Sequence, residues 1–84
     1  MNREEFIAHI RGEQEQLRRF LLALCLGNRD EADDIAQESL VKAYLSSSGY
    51  QDKGKFTSWL YRIAHHTFLD HMKNRKSLQP LDTA

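Results

Sequence analysis

Histidines and one carboxylate form the densest group of chemically capable side chains in this chain of 84 residues. His65, His66, Asp70 and His71 lie within seven positions. His66 and Asp70 are four residues apart, which places them on one face of a helix and within reach of a shared metal ion. One helix cannot complete a tetrahedral site, however, and no further ligand from another part of the chain is evident. The sequence therefore predicts no metal site and no cofactor.

Groups that perform covalent catalysis are not evident in the sequence. It contains no recognisable pairing of a nucleophile with a base, no glycine-rich phosphate loop and no second cysteine. The single cysteine, Cys25, lies among leucines and is expected to be a small buried apolar residue. It cannot form an internal disulfide, which excludes a disulfide-stapled secreted scaffold. We therefore expect a binding protein rather than an enzyme.

Basic and aromatic side chains are interleaved in the C-terminal part of the chain. Residues 53–76 carry six basic side chains and one acid, whereas residues 1–52 carry ten acids and six basic side chains. Basic groups neutralise phosphates, and aromatic planes stack on unpaired bases. Trp59 borders both faces of the predicted helix, and packing in the core is its first expected role. The predicted nucleic-acid contacts are Tyr50, Lys53, Lys55, Phe56, Trp59, Arg62, His65, His66, Lys73, Arg75 and Lys76.

A second candidate surface lies on an acidic helix predicted from about residue 30 to residue 43 or 45. Its small and apolar side chains share the core side: Ala32, Ile35, Ala36, Ser39, Leu40 and Ala43. The opposite side carries Asp34, Gln37, Glu38 and Val41, a mixture of charge and apolar surface that is typical of docking on another protein. In the alternative interpretation, Val41 and Leu45 pack beneath the loop that follows.

The elements that must position these surfaces are helices, so the predicted fold is an all-α, compact bundle of three to four helices. Four glycines and one proline are too few for many short strands and their turns. Asn2 and Glu5 predict a capped first helix to Ile10, with a break or bend at Gly12. The remaining predicted elements are a helix over 13–26, a turn at Gly27-Asn28, the acidic helix, a loop over 46–55, and a last helix from Thr57 or Ser58 to Lys76. No apolar run approaches the roughly 20 residues that cross a bilayer, and no signal peptide is visible, so we expect no membrane insertion.

Two motifs connect these helices to a known family. Residues 34–38 read D-I-A-Q-E, and residues 56–64 read F-T-S-W-L-Y-R-I-A. Together they resemble the second conserved region of extracytoplasmic-function (ECF) sigma factors, which are initiation subunits of bacterial RNA polymerase. The resemblance extends over about residues 5–77. It predicts a region 2 domain at 1–77 and, at 78–84, the start of a linker to the helix-turn-helix domain that follows in the family.

The resemblance implies a role for each surface. The helix that carries Asp34, Gln37 and Glu38 docks, in the family, on the clamp helices of the largest polymerase subunit. The last helix and the loop before it bind the promoter minus-ten element, help to open the duplex and capture a base of the non-template strand. The implied partners are core RNA polymerase and promoter DNA in the cytoplasm. An anti-sigma protein could cover the same faces, although nothing in the sequence identifies one.

His65-His66 departs from the family pattern, in which a basic residue and then asparagine are common. An asparagine amide both donates and accepts, whereas a neutral imidazole offers one of each with a different reach. The pair therefore bears on base choice. Protonation of either imidazole would strengthen binding to DNA at lower pH.

Two other functions fit parts of the sequence. The first is a duplex-binding regulator with the last helix as recognition helix, although residues 46–55 are long for the three- or four-residue turn of a helix-turn-helix. The second is an interaction module that pairs with another protein through the acidic helix. Loss of all nucleic-acid binding in a folded sample would favour this second alternative.

Overall fold

The computed structural model describes residues 2–47 and 55–78, with side chains described as far as residue 74. These residues form three helices, α1 (Arg3–Leu24), α2 (Arg29–Ser46) and α3 (Phe56–Leu78), which confirms the predicted all-α bundle. Tyr50, Lys53 and the tail 79–84 lie outside the described residues, as do the side chains of Arg75 and Lys76. Within the described ranges, no helix combines the length and apolarity that crossing a bilayer requires.

α1 begins as predicted but does not break. The Glu5 backbone N–H donates to Asn2 Oδ1 at 2.8 Å, and the Asn2 N–H donates to the Glu5 carboxylate at 3.4 Å, which together form a capping box. The predicted break at Gly12 is wrong, because the helix continues through it to Leu24. A glycine inside a helix costs only about 1 kcal/mol relative to alanine, and buried apolar residues lie on both sides of it, including Ile10 and Leu17.

A Schellman motif ends α1 and turns the chain back into α2. The Gly27 N–H donates to the Leu22 carbonyl at 2.9 Å, and the Leu26 N–H donates to the Ala23 carbonyl at 3.2 Å. The left-handed residues are Leu26 (φ 54°) and Gly27 (φ 88°), one position earlier than the predicted Gly27-Asn28 pair. Asn28 has φ −76° because it caps α2.

α2 packs its small side chains inwards, as its periodicity predicts. The Asn28 side chain accepts from the Glu31 N–H at 3.1 Å and fixes the first turn. Five of the predicted core residues are buried, and Leu40 is half-buried against them. The buried five are Ala32, Ile35, Ala36, Ser39 and Ala43. The helix extends to Ser46. Because its small side chains pack inwards, the opposite side of α2 faces outwards.

α3 runs in the same direction as α1. Three pairs of side chains follow in the same order along both helices: His9 with Phe56, Glu13 with Thr57, and Phe20 with Tyr61. The helix starts at Phe56, one or two residues earlier than predicted. Its buried residues Leu60 and Ala64 meet Leu21 and Ile35 in one core, and Cys25 is buried with them, as predicted.

Candidate functional site

The outer face of α2 carries the predicted docking residues, and all of them are exposed: Asp34, Gln37, Glu38 and Val41. Val41 is 57% exposed and Leu45 is 72% exposed. In the alternative interpretation these two side chains pack beneath the loop over 46–55, most of which lies outside the described residues. The face has an apolar centre and a charged rim, which is the composition of a protein-docking surface.

Glu38 is part of an ion-pair network between α2 and α3. Its Oε2 lies 3.3 Å from Lys42 Nζ, and its Oε1 lies 3.4 Å from His71 Nε2. Lys42 Nζ also lies 3.7 Å from Asp70 Oδ2. Partial burial alone would raise the pKa of Glu38, but its hydrogen bonds and charge interactions with Lys42 and His71 together lower it. The network thus favours the ionised carboxylate.

Asp34 lies on the same face without such a partner. Among the described residues it takes part in no ion pair. Gln37, on the other flank, lines a shallow groove between α1 and α2 together with Arg18 and Leu40. The predicted docking face therefore extends from the edge of α1 to the edge of α3, and Asp34 is its carboxylate without an ion pair among the described residues.

The outer face of α3 presents a cationic stripe, defined here by Arg62, His65, His66 and Lys73, all of which are exposed. Arg62 and Lys73 are separated by about 16 Å along the axis at a rise of 1.5 Å per residue. Leu69 lies between them on the outer face and is 46% exposed. Such a stripe suits a polyanion backbone.

The residues that resembled a metal site are divided between two surfaces. His65 and His66 face outwards, whereas Asp70 and His71 contact residues of α2. In the part of the chain that the structure describes, no three His, Cys, Asp or Glu side chains come together as a metal site would require. The only acid of α3 is therefore directed towards Lys42 rather than along the cationic stripe.

The aromatic residues at the start of α3 serve mainly to pack. Phe56 is only 5% exposed, and its ring lies against Phe6 at 6.0 Å and Trp59 at 5.5 Å between centroids. Trp59 is partly buried against the core, as first expected. Lys55, directly before the helix, is exposed. Of these predicted DNA contacts, Lys55 is available to a ligand because it is exposed. Phe56 is buried in the core, so its ring is not exposed to DNA in this structure.

Glu13 of α1 is a positioning residue that sequence reasoning missed. The first turn of α3 has no acid of its own, and Thr57 Oγ1 donates to Glu13 Oε2 at 2.6 Å. A carboxylate at a helix N-terminus is stabilised by the helix dipole. Glu13 Oε1 is buried and has no hydrogen-bond partner in the structure described. Burial raises the pKa of Tyr61, and the charge of Glu13 raises it further. The one sequence feature that could have indicated this role is the position of Glu13 between the buried residues Ile10 and Leu17 of α1.

Comparisons with known proteins agree on one family. The family model for Sigma-70 region 2 matches residues 9–78. The ECF RNA polymerase sigma factor SigW of Bacillus subtilis is 42% identical over 57 residues, which cover 68% of this chain and 30% of SigW. SigG of Mycobacterium tuberculosis is 37% identical over 84 residues, covering 96% of this chain and 21% of SigG. The RNA polymerase sigma-H factor of Pseudomonas aeruginosa is 35% identical over 60 residues, covering 71% of this chain and 31% of that factor.

No solved structure gives a significant match. The chain spans between 21% and 31% of the length of these three relatives. The family model, in contrast, covers most of this chain and includes both candidate surfaces. The chain therefore belongs to the sigma-70 region 2 family, with ECF sigma factors among its relatives.

Proposed function

We propose that this chain is the part of a bacterial sigma factor that binds core RNA polymerase and recognises and melts the promoter minus-ten element. The observation that carries the proposal is the pair of exposed surfaces, one acidic and one basic, on adjacent helices within the family match. The proposed activity consists of binding, with no chemical step of its own. It takes place in the cytoplasm, with residues 1–77 as the domain and 78–84 as the start of a linker.

The proposed polymerase contact is the outer face of α2. Asp34, Gln37, Glu38 and Val41 contact the clamp helices of the largest subunit in this proposal. The exposed carboxylates suit a basic partner, and the exposed Val41 supplies apolar area at the centre. An anti-sigma protein that competes with polymerase would cover this same face.

The proposed DNA contact is the cationic stripe of α3. Arg62 and Lys73 bind phosphates of the non-template strand, and His65 and His66 contact bases. These four contacts are proposed because the residues are exposed along one face of the helix. The carboxylate of Asp70 lies 3.7 Å from Lys42 of α2 instead of pairing with this face. Lys55 adds a cation near the start of α3, and Trp59 supports the helix from its partly buried position. The proposal also includes four DNA contacts whose side chains the structure does not describe: Tyr50, Lys53, Arg75 and Lys76.

Binding to DNA in the presence of core polymerase tests this function. Fluorescence anisotropy would compare a single-stranded non-template minus-ten oligonucleotide with its duplex over a salt series. We expect preference for the single strand and affinity that falls as salt rises. Arg62→Ala should reduce the salt slope by about 0.7, and Arg3→Ala, an exposed cation on α1, is the matched control. Equal binding of single strand and duplex at moderate salt would contradict the melting role.

A further inference from the structure

His9 lies flat against a buried aromatic ring. Its imidazole stacks on Phe56 with the centroids 4.7 Å apart and the planes at 22°. Phe56 is 5% exposed, whereas His9 remains exposed despite this contact. One face of the imidazole is therefore covered by Phe56, and the residue as a whole remains exposed.

This stack lies at the end of the bundle where α2 ends and α3 begins. The Phe6 ring contacts Tyr44 near the end of α2 at 5.7 Å and Phe56 at the start of α3 at 6.0 Å. The exposed Lys55 precedes Phe56 directly. A stacked imidazole on an exposed residue and a cation are thus present at the same end of the domain.

We propose that His9 provides a stacking surface for one unpaired nucleobase of the melted strand, an inference that rests on the proposed function. A flat ring that already stacks on a second ring loses less side-chain freedom on binding, and the face away from Phe56 is the proposed stacking surface. Every base has a π-face, so stacking on His9 adds affinity with little sequence preference. Lys55 is placed to bind a phosphate of the same strand. The contact extends the DNA surface from α3 to α1.

Three forms of the chain test this role with a single-stranded oligonucleotide carrying 2-aminopurine, in complex with core polymerase. His9→Ala removes the ring, His9→Phe keeps a ring that can stack, and Gln16→Ala changes another exposed side chain about two turns further along α1. We expect His9→Ala to weaken binding about fivefold to tenfold and to reduce the quenching of 2-aminopurine. His9→Phe and Gln16→Ala should both bind as the parent does. Circular dichroism would confirm that each variant is folded.

The outcomes separate this inference from the proposed function. If the parent binds the single strand and His9→Ala binds equally well, the stacking role is overturned and the proposed function stands. If His9→Phe loses as much affinity as His9→Ala, the contact depends on an imidazole nitrogen, and stacking is again overturned. Should His9→Ala fail to fold, the parent is tested directly. An upfield shift of the His9 ring protons on adding oligonucleotide supports stacking, and unchanged signals overturn it. Failure of the parent to bind any single strand contradicts the proposed function itself.

Discussion

The outer faces of α2 and α3 use their carboxylates differently. On α2, Glu38 is paired with Lys42 and with His71 of α3, whereas Asp34 has no ion pair among the described residues. On α3, Asp70 is directed towards Lys42 and away from the cationic stripe. Contact between the helices thus engages one carboxylate from each face. The outer face of α2 therefore offers a partner less negative charge than its sequence indicates. The outer face of α3 is more positive than its sequence indicates, because its one acid lies beside Lys42.

Among the variants that leave every charge unreversed, the largest expected effect separates the two carboxylates of α2. Asp34→Asn should weaken binding to core polymerase about tenfold, because it removes the unpaired charge of the face. Glu38→Gln should cost less, about threefold, because Lys42 already neutralises part of that charge and His71 Nε2 lies 3.4 Å from the carboxylate. Titration of labelled protein with core polymerase would measure both affinities.

Glu4→Gln provides a matched control, since it removes an exposed carboxylate from α1, outside the face. Its affinity for polymerase should equal that of the parent. Equal losses in Asp34→Asn and Glu38→Gln would show that the ion-pair network does not reduce the contribution of Glu38.

The hydrogen bond between Thr57 and Glu13 should help to hold α3 against α1. Thr57→Val and Glu13→Ala should each lower the free energy of unfolding by about 1 kcal/mol, because each removes a hydrogen bond to a charged group. The double variant should lose less than the sum of the two, by about 0.5 kcal/mol or more. Urea unfolding gives all three values. Ser58→Ala, an exposed neighbour, should change little, and strict additivity would show that the two side chains act independently.

Much of the fold follows from periodicity, whereas the contacts between helices do not. The core side of α2, the caps at Asn2 and Asn28, and the exposed faces of α2 and α3 are set by spacing within one helix. The pairing of Glu38 with His71, and the stacking of His9 on Phe56, depend on how two helices slide and rotate against each other. A period of 3.6 residues does not determine that register. Gly12 was misread because its cost is smaller than the gain from burying the stripe around it.

Leu26 allows a change in stability that touches neither face. It has a left-handed φ of 54° and is 94% exposed, so its side chain contributes strain and little packing. Leu26→Gly should raise the free energy of unfolding by about 0.5 to 1 kcal/mol. Ala23→Gly, an exposed right-handed position in α1, should lower it by about 1 kcal/mol. Thermal unfolding would show whether each substitution raises or lowers the stability of the fold. Destabilisation by Leu26→Gly would mean that the Leu26 side chain makes a stabilising contact.

The smallest expected effect is a pH dependence at Glu38. Its pKa in the folded protein lies below the ordinary value of 4.5, so the ionised form stabilises the fold above that pH. This contribution is lost as pH falls through the folded pKa. Because the side chain is 45% exposed, we expect only a few tenths of a kcal/mol. The difference in unfolding free energy between the parent and Glu38→Gln should vanish in acid, and a difference that grows there would have the wrong sign.

The central claim is that α2 binds polymerase and α3 binds DNA, and charge reversal on each face tests it most directly. The measurement is the affinity of the parent, Asp34→Arg and Arg62→Glu for core RNA polymerase in the absence of DNA. We predict tight binding by the parent and by Arg62→Glu, and a loss of about thirtyfold for Asp34→Arg. Equal affinity of Asp34→Arg and the parent, or no binding by a folded parent, would contradict the account.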